Sequence, residues 1–216
     1  MRLAIISTYP PRKCGIGLYT SNLVNSLRKK GHEIKVVSFR GYEYKDKDVI
    51  PLLRKHSPLS YLSAAAYLRN NNFKKALVEY EYVFYNMLIF PIFLMLLRLL
   101  GVKTVLEFHT IVPYDDIIKK NIFTLYHSLL LLFSDHAIVH TENAEKKLIG
   151  KTLIKRPVKI IPIPIPLKSA RQIFRKSKKP LLLSFGFVSY DKGIDILIMA
   201  LGGVDNIKVL VNGTVS

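Results

Sequence analysis

The stretch Leu3-Ala-Ile-Ile-Ser-Thr-Tyr-Pro-Pro-Arg-Lys-Cys-Gly-Ile-Gly-Leu-Tyr-Thr20, continued to Phe39, decides the fold. Leu3 to Ser7 is a short apolar run, the pattern of a strand buried on both faces. Thr8 to Gly17 is dense in Pro and Gly and reads as a loop. Tyr19, Leu23, Val24 and Leu27 then recur at helical spacing. Arg28-Lys29-Lys30 suits the negative end of a helix dipole, and Gly31 supplies the stop. Ile34 to Phe39, rich in β-branched residues, predicts the next strand. The whole is a β-α-β unit.

Further out the alternation repeats. Strands are expected near Val78–Phe84, Lys103–Phe108, His136–Thr141 and Val158–Ile161, and helices near Ser60–Leu68, Ile89–Leu100, Asp116–Phe133 and Ala144–Leu148. Such alternation predicts an α/β fold, a Rossmann-like parallel sheet covered on both faces, with ligands at the carboxyl ends of its strands. Ile161-Pro-Ile-Pro-Ile-Pro166 lacks alternate N–H donors and reads as an extended connector. The expected organisation is a first domain over 1–165, a basic linker over 166–180, and a fresh β-α-β over 181–216. The last is formed by Leu181–Phe185, a helix from Gly193 to Leu201 and Ile207–Val211. A single β-α-β cannot bury a core of its own, so it reads as the opening of a second, truncated domain or, alternatively, as an extension of the first sheet.

Composition bounds the function. Of 216 residues, 50% are hydrophobic, enough for a substantial core. One cysteine, Cys14, excludes a disulfide framework. Lys and Arg number 33 against 15 acids, a formal +18, which predicts an anionic partner. Nucleic acid is not expected, because neither an RNA-binding aromatic signature nor a helix-turn-helix is visible. The apolar run after Met1-Arg2 is shorter than the ~7–15 residues of a secretory core, so the expected address is cytoplasmic. Val83 to Val102 is apolar apart from Asn86 and Arg98, yet Pro91 interrupts it. It reads as a strand end, a turn and a core helix, with a spanning helix as the alternative.

The chemistry-bearing positions are few. Gly15 and Gly17 open the first helix, where the backbone approaches a ligand closely and free N–H groups meet phosphate; a plain turn fits the same residues. The dinucleotide fingerprint is not present, since Thr20 stands where a third glycine belongs. His109 follows an apolar strand and is placed either for ligand contact or as a core histidine. Glu79 and Glu81 bracket a strand and either face a cleft or alternate outward at a sheet edge. Lys192-Gly193 opens the last helix, as a phosphate site or as an ordinary helix start. Neither a nucleophile elbow, H-E-x-x-H, nor a paired Cys/His cluster at metal-ligand spacing is found.

Five segments in order resemble the retaining family-4 glycosyltransferases of the GT-B fold. They are the opening loop just quoted, Glu79-Tyr-Glu-Tyr-Val-Phe-Tyr85, Thr104-Val-Leu-Glu-Phe-His-Thr110, Ser134-Asp-His-Ala-Ile-Val-His-Thr141 and Leu181-Leu-Leu-Ser-Phe-Gly-Phe-Val-Ser-Tyr-Asp-Lys-Gly193. The resemblance implies transfer of a sugar from a nucleotide-sugar donor to an acceptor, with retention. The first domain would hold the acceptor and the second the donor. No cofactor and no metal are implied. His109 would sit at the transferred sugar as the catalytic residue. Gly15, Gly17, Lys192 and Gly193 would meet the donor phosphates, and Glu81, Tyr82 and Thr110 would line the acceptor side. Many relatives work on lipid-linked acceptors, which implies peripheral binding to an anionic membrane and gives the +18 charge a purpose. Ile118, Ile122, Leu125, Leu129 and Leu132, with Lys119 and Lys120 beside them, form either a membrane-facing stripe or a core helix.

Two departures qualify this expectation. Phe187 stands where many relatives carry a phosphate-binding Arg. The chain also ends before the acidic E-x7-E motif that grips the donor, so a separately encoded carboxyl-terminal half is an expected partner. The alternative function is a non-catalytic acceptor-domain remnant that binds a membrane or a partner chain.

Overall fold

The structure, a computed structural model, describes residues 1–112, 117–150, 152–164, 179–186, 188, 190–204 and 206–213. The chain forms two compact units, Met1–Ile165 and Pro166–Ser216. Most of the expected basic linker, the first residue of the helix expected from Asp116, and Phe187 lie outside the described residues.

In the first unit the elements run β1 (Arg2–Ile6), α1 (Gly15–Lys29), β2 (Glu33–Phe39), β3 (Val49–Leu53), α2 (Pro58–Asn70), β4 (Lys75–Tyr80), α3 (Ile89–Leu99), β5 (Lys103–Phe108), α4 (Ile117–Phe133), β6 (His136–Val139), α5 (Glu142–Ile149) and β7 (Val158–Ile160). The seven strands make one sheet in the order β3-β2-β1-β4-β5-β6-β7, with every pairing parallel. The order reverses between β1 and β4. In open parallel sheets that reversal opens a crevice at the carboxyl ends of the strands, where ligands bind.

Side-chain alternation assigns the two faces. On β1, Ala4 and Ile6 join the larger core beside Tyr61 of α2, Phe93 of α3 and Leu130 of α4, whereas Ile5 joins Val24 of α1 on the opposite face. Residues at both parities are therefore apolar, as a sheet covered on both sides requires. The apolar stretch before Val102 is the buried α3 with the turns that flank it, and Phe90, Phe93, Leu94 and Leu97 are its core residues. Among the described residues, no helix is long and apolar enough to cross a membrane.

Two expectations need correction. β3 was not foreseen, and it sits at the sheet edge, where Pro51 is tolerated because one side of the strand needs no donor. β4 starts at Lys75 and ends at Tyr80, earlier than expected; the chain turns over 81–85, and Tyr85 donates to the carbonyls of Ile6 and Glu79 at 3.2 Å each. Glu79 thus lies inside a central strand, which removes the reading as an outward-facing edge residue.

In the second unit, β8 (Leu181–Phe185) and β9 (Lys208–Asn212) pair in parallel, with α6 (Ile194–Ala200) between them in sequence. Gly193 is the N-cap of α6 with φ +62°, a left-handed conformation that glycine adopts without a Cβ penalty. Lys192 ends the short 3-10 turn before it.

Candidate functional site

The carboxyl rim at the strand reversal is built by register. Glu79 of β4 pairs with Glu107 of β5, and Tyr80 with Phe108. Val78, Tyr80, Leu106 and Phe108 all face the larger core, so alternation turns both carboxyls to the opposite face, that of α1. There Tyr19 of α1 donates its phenol hydrogen to Glu107 Oε1 at 2.6 Å. His109, the first residue after β5, has its Nε2 2.7 Å from Glu79 Oε2, with the Glu79 side chain fully buried and that of His109 8% exposed. The His109 and Tyr19 rings meet edge to face at 5.4 Å between centroids, and the ring of His140, just past β6, lies 5.0 Å from that of His109.

α1 is fixed to the same rim. Ser7, past the end of β1, and Thr20 share a buried hydroxyl contact of 2.7 Å, and Thr20 also donates to the Ile16 carbonyl at 2.9 Å. Cys14, the N-cap, makes no side-chain hydrogen bond to the helix, and the first turn holds no acid. The positive end of this helix is thus met by no side-chain cap. Gly15 and Gly17 are helical residues of that turn, not loop glycines in an unusual conformation. A Cβ at Gly15 would meet open space, and one at Gly17 would lie 3.5 Å from Thr8 and Tyr9, an ordinary contact. The chain's own packing therefore does not demand glycine at either position, and at Gly17 side chains larger than alanine would press on Thr8 and Tyr9.

Electrostatics follow from burial. Burial, and then the charge of Glu107, push the Glu79 carboxyl well above the usual carboxylate range. Burial lowers the pKa of His109, against the opposing pull of Glu107 and Glu81. Both shifts favour the neutral acid beside a neutral imidazole. Burial, and then the hydrogen bond and charge of Glu107, raise Tyr19, which therefore stays a phenol and a donor.

The other expected residues divide. Thr110 donates to Glu81 Oε2 at 2.6 Å, and Glu81 Oε1 accepts from the Tyr82 backbone at 3.0 Å, which joins this pair to the rim next to His109. The Tyr82 hydroxyl instead meets His127 Nε2 of α4 at 2.6 Å, and its ring packs against Tyr80 and Phe123. Lys192 and Gly193 belong to the second unit. Three rim residues were missed from sequence: Tyr19, Glu107 and His140. The one signal in the sequence was a charged residue, Glu107, inside an otherwise apolar strand; that it faces Glu79 follows only from the register of β4 against β5.

Comparisons add the kinship. Among solved structures, MurG from Acinetobacter baumannii superposes with a TM-score of 0.55 at 10% identity, covering 100% of this chain and 68% of that one. At that identity the likeness shows the fold, and the sheet described above is the Rossmann-like half of a GT-B architecture. No curated protein matches the sequence significantly. The family model described as Glycosyltransferase Family 4 matches residues 14–169. That span starts at the N-cap of α1, runs through β5, His109 and His140, and covers well over half of the chain, which therefore belongs to glycosyltransferase family 4.

Proposed function

We propose that this chain acts in the transfer of a hexosyl group from a nucleotide-diphosphate sugar to an acceptor, with retention at the transferred carbon. One observation carries the reading. A largely buried imidazole, His109, is held by Glu79 at the strand reversal, beside a helix N-terminus that lacks a side-chain cap. A neutral imidazole there offers a hydrogen bond to a sugar hydroxyl without adding charge. The first turn of α1, at Gly15 and Gly17, offers backbone N–H groups and a partial positive charge to donor phosphate oxygens. Lys192 beside Gly193 is assigned to the departing diphosphate, where fixed positive charge favours bond breaking. Glu81 and Thr110 are assigned to the acceptor side, and Tyr82 supports them from the α4 contact.

A lipid-linked acceptor at an anionic membrane is favoured by a separate feature. Between α3 and α4 runs an open apolar groove of about 360 Å³, lined in part by Met87, Pro91, Ile92, Met95, Leu125 and Leu129. Ile117, Ile118 and Ile122 stand exposed at the start of α4, the reverse of a fully buried core helix, next to Lys119 and Lys120. The address we assign is the cytoplasmic face of a membrane.

The test is a donor screen. The chain, alone and together with any product of an adjacent reading frame, is incubated with UDP-, GDP- and dTDP-hexoses and a membrane extract, and products are read by mass spectrometry. One donor should be consumed, and His109→Ala should cut transfer at least tenfold while the melting curve stays cooperative. Transfer that His109→Ala leaves untouched contradicts the site. Vesicle binding without any donor consumption favours the non-catalytic module.

A further inference from the structure

We propose that Arg12 holds a phosphoryl group of the acceptor, in a cationic subsite on the carboxyl rim of β1, β2 and β3. Arg12 stands in the loop between β1 and α1 and is half-buried. Its guanidinium carbon lies 4.9 Å from the centre of the Phe84 ring and 6.0 Å from those of Phe39 and Tyr42. Phe39 ends β2, and Phe84 belongs to the turn after β4. β1 lies between those two strands, so this side chain bridges the strand reversal, where open parallel sheets take ligands.

The rings fix the guanidinium and leave its chemistry free. An aromatic face attracts the cation without using its hydrogen-bond donors. Five N–H donors in a planar fork remain, and among the described residues none of them has a carboxylate or other acceptor. Elsewhere the chain supplies such partners, since Arg2 pairs with Glu33, and Arg28 with Asp46 and Asp48. The cations around Arg12 resemble it. Lys13 follows it, Arg40 follows β2, and Arg54 and Lys55 follow β3; none of them forms an ion pair among the described residues. Asp46 and Asp48, in the connection from β2 to β3, are taken by Arg28 and Lys35, and Glu43 alone cannot offset the rest. The excess suits a multiply charged anion. A phosphoryl group carries about −1.5 to −2 near neutral pH, more than a carboxylate, and a guanidinium fork bonds two of its oxygens at once.

The side of the crevice decides which substrate owns the group. Phe39 and Phe84 belong to the larger core, whereas Tyr19 and the buried carboxyls lie on the face of α1. Phe84 also shares its turn with Glu81, assigned above to the acceptor. Ownership by the acceptor rests on the proposed transfer; binding of the anion does not.

Pyrophosphate is the first probe, followed on the full 15N-labelled chain by its arginine Nε–H signals and by calorimetry. The Arg12 signal should shift and saturate, and acetate at equal ionic strength should not move it. Arg12→Gln should weaken binding by at least about tenfold. Arg12→Lys, which keeps the charge but loses the fork, should weaken it less. Arg69→Gln removes the same charge at the last turn of α2, ahead of the amino end of β4, and should leave binding unchanged. Three competitors identify the source. Competition by glycerol 3-phosphate supports a soluble phosphate ester, and competition by phosphatidic acid vesicles alone supports a lipid headgroup. Competition by UDP and by neither ester gives the anion to the donor and overturns the proposal. It is overturned equally by the absence of a saturable shift, by the same shift with acetate, or by Arg12→Gln, folded by circular dichroism, binding as tightly as the parent. A donor screen without transfer, beside pyrophosphate binding that Arg12→Gln abolishes, would sink the transfer and leave the anion site in place.

Discussion

Tyr19 ties the two halves of the rim together, because it stands on α1 and donates to a carboxylate on β5. Its removal can be weighed. Tyr19→Phe keeps the ring contacts with His109 and His140 but takes the donor from a buried Glu107 oxygen. Hydrogen bonds to charged groups contribute about 1.5–3 kcal/mol, so the urea midpoint should fall by the equivalent of about 2 kcal/mol. An unchanged midpoint would mean that Glu107 finds another donor. At this scale the sequence was half legible. His109 was readable because it follows an apolar run. Tyr19, Glu107 and His140 were not recognised as its partners, because their meeting depends on the pairing of β4 with β5 and of β5 with β6, and register is a property of the folded sheet.

At the scale of the element, α1 is held at both ends. Its last turn carries Arg28, which bonds Asp46 Oδ2 at 2.7 Å and lies 3.2 Å from Asp48, while Tyr9 donates to the same Asp46 oxygen at 3.2 Å. Burial works against the Asp46 carboxylate, but the Arg28 hydrogen bond, the Asp48 backbone N–H and the Arg28 charge outweigh it and hold its pKa below the usual carboxylate value. A carboxyl depressed in the folded state contributes stability that is full above its unfolded pKa, near 4, and lost as pH falls through the folded value. Thermal melts from pH 6 to pH 2.5 should therefore show a loss that Asp46→Asn flattens; parallel curves for the two proteins would refute the assignment. The elements themselves were legible where apolar residues run together, as in β1, β5 and α3. β3 was hidden by Pro51, which argues against a strand except at an edge, and β4 was misplaced because the aromatic residues of 80–85 look like strand but pack in a turn. The spacing on α4 allows a core stripe or a membrane face; Ile118, Ile122, Leu125 and Leu132 of that stripe are exposed, while the core contact is made by its neighbours Tyr126, Leu130 and Leu131.

At the scale of the whole molecule, the formal +18 and the α3–α4 groove make one prediction together. Basic residues near an anionic leaflet contribute about 1 kcal/mol each, and that attraction weakens as salt shortens the screening length. Binding to phosphatidylglycerol vesicles should exceed binding to phosphatidylcholine vesicles and fall between 50 and 500 mM salt, on the order of the steep losses seen for polycations. Ile122→Glu should reduce it further by setting a negative charge where an acyl chain would lie. Equal binding to both vesicle types at either salt would sink the membrane assignment. The sheet order has a further consequence, for assembly. β1 lies between β2 and β4, so the first strand to be made is paired on one side early and stays open on the other until Ala76–Val78 arrive to join Ala4–Ile6. Contacts that close so long a loop form slowly relative to local ones. The seam that forms late is the one across which α1 meets β5, so a chain folded as far as its first β-α-β has the helix terminus but not the histidine. Refolding should restore far-ultraviolet dichroism before it restores any property that depends on the Tyr19–Glu107 contact.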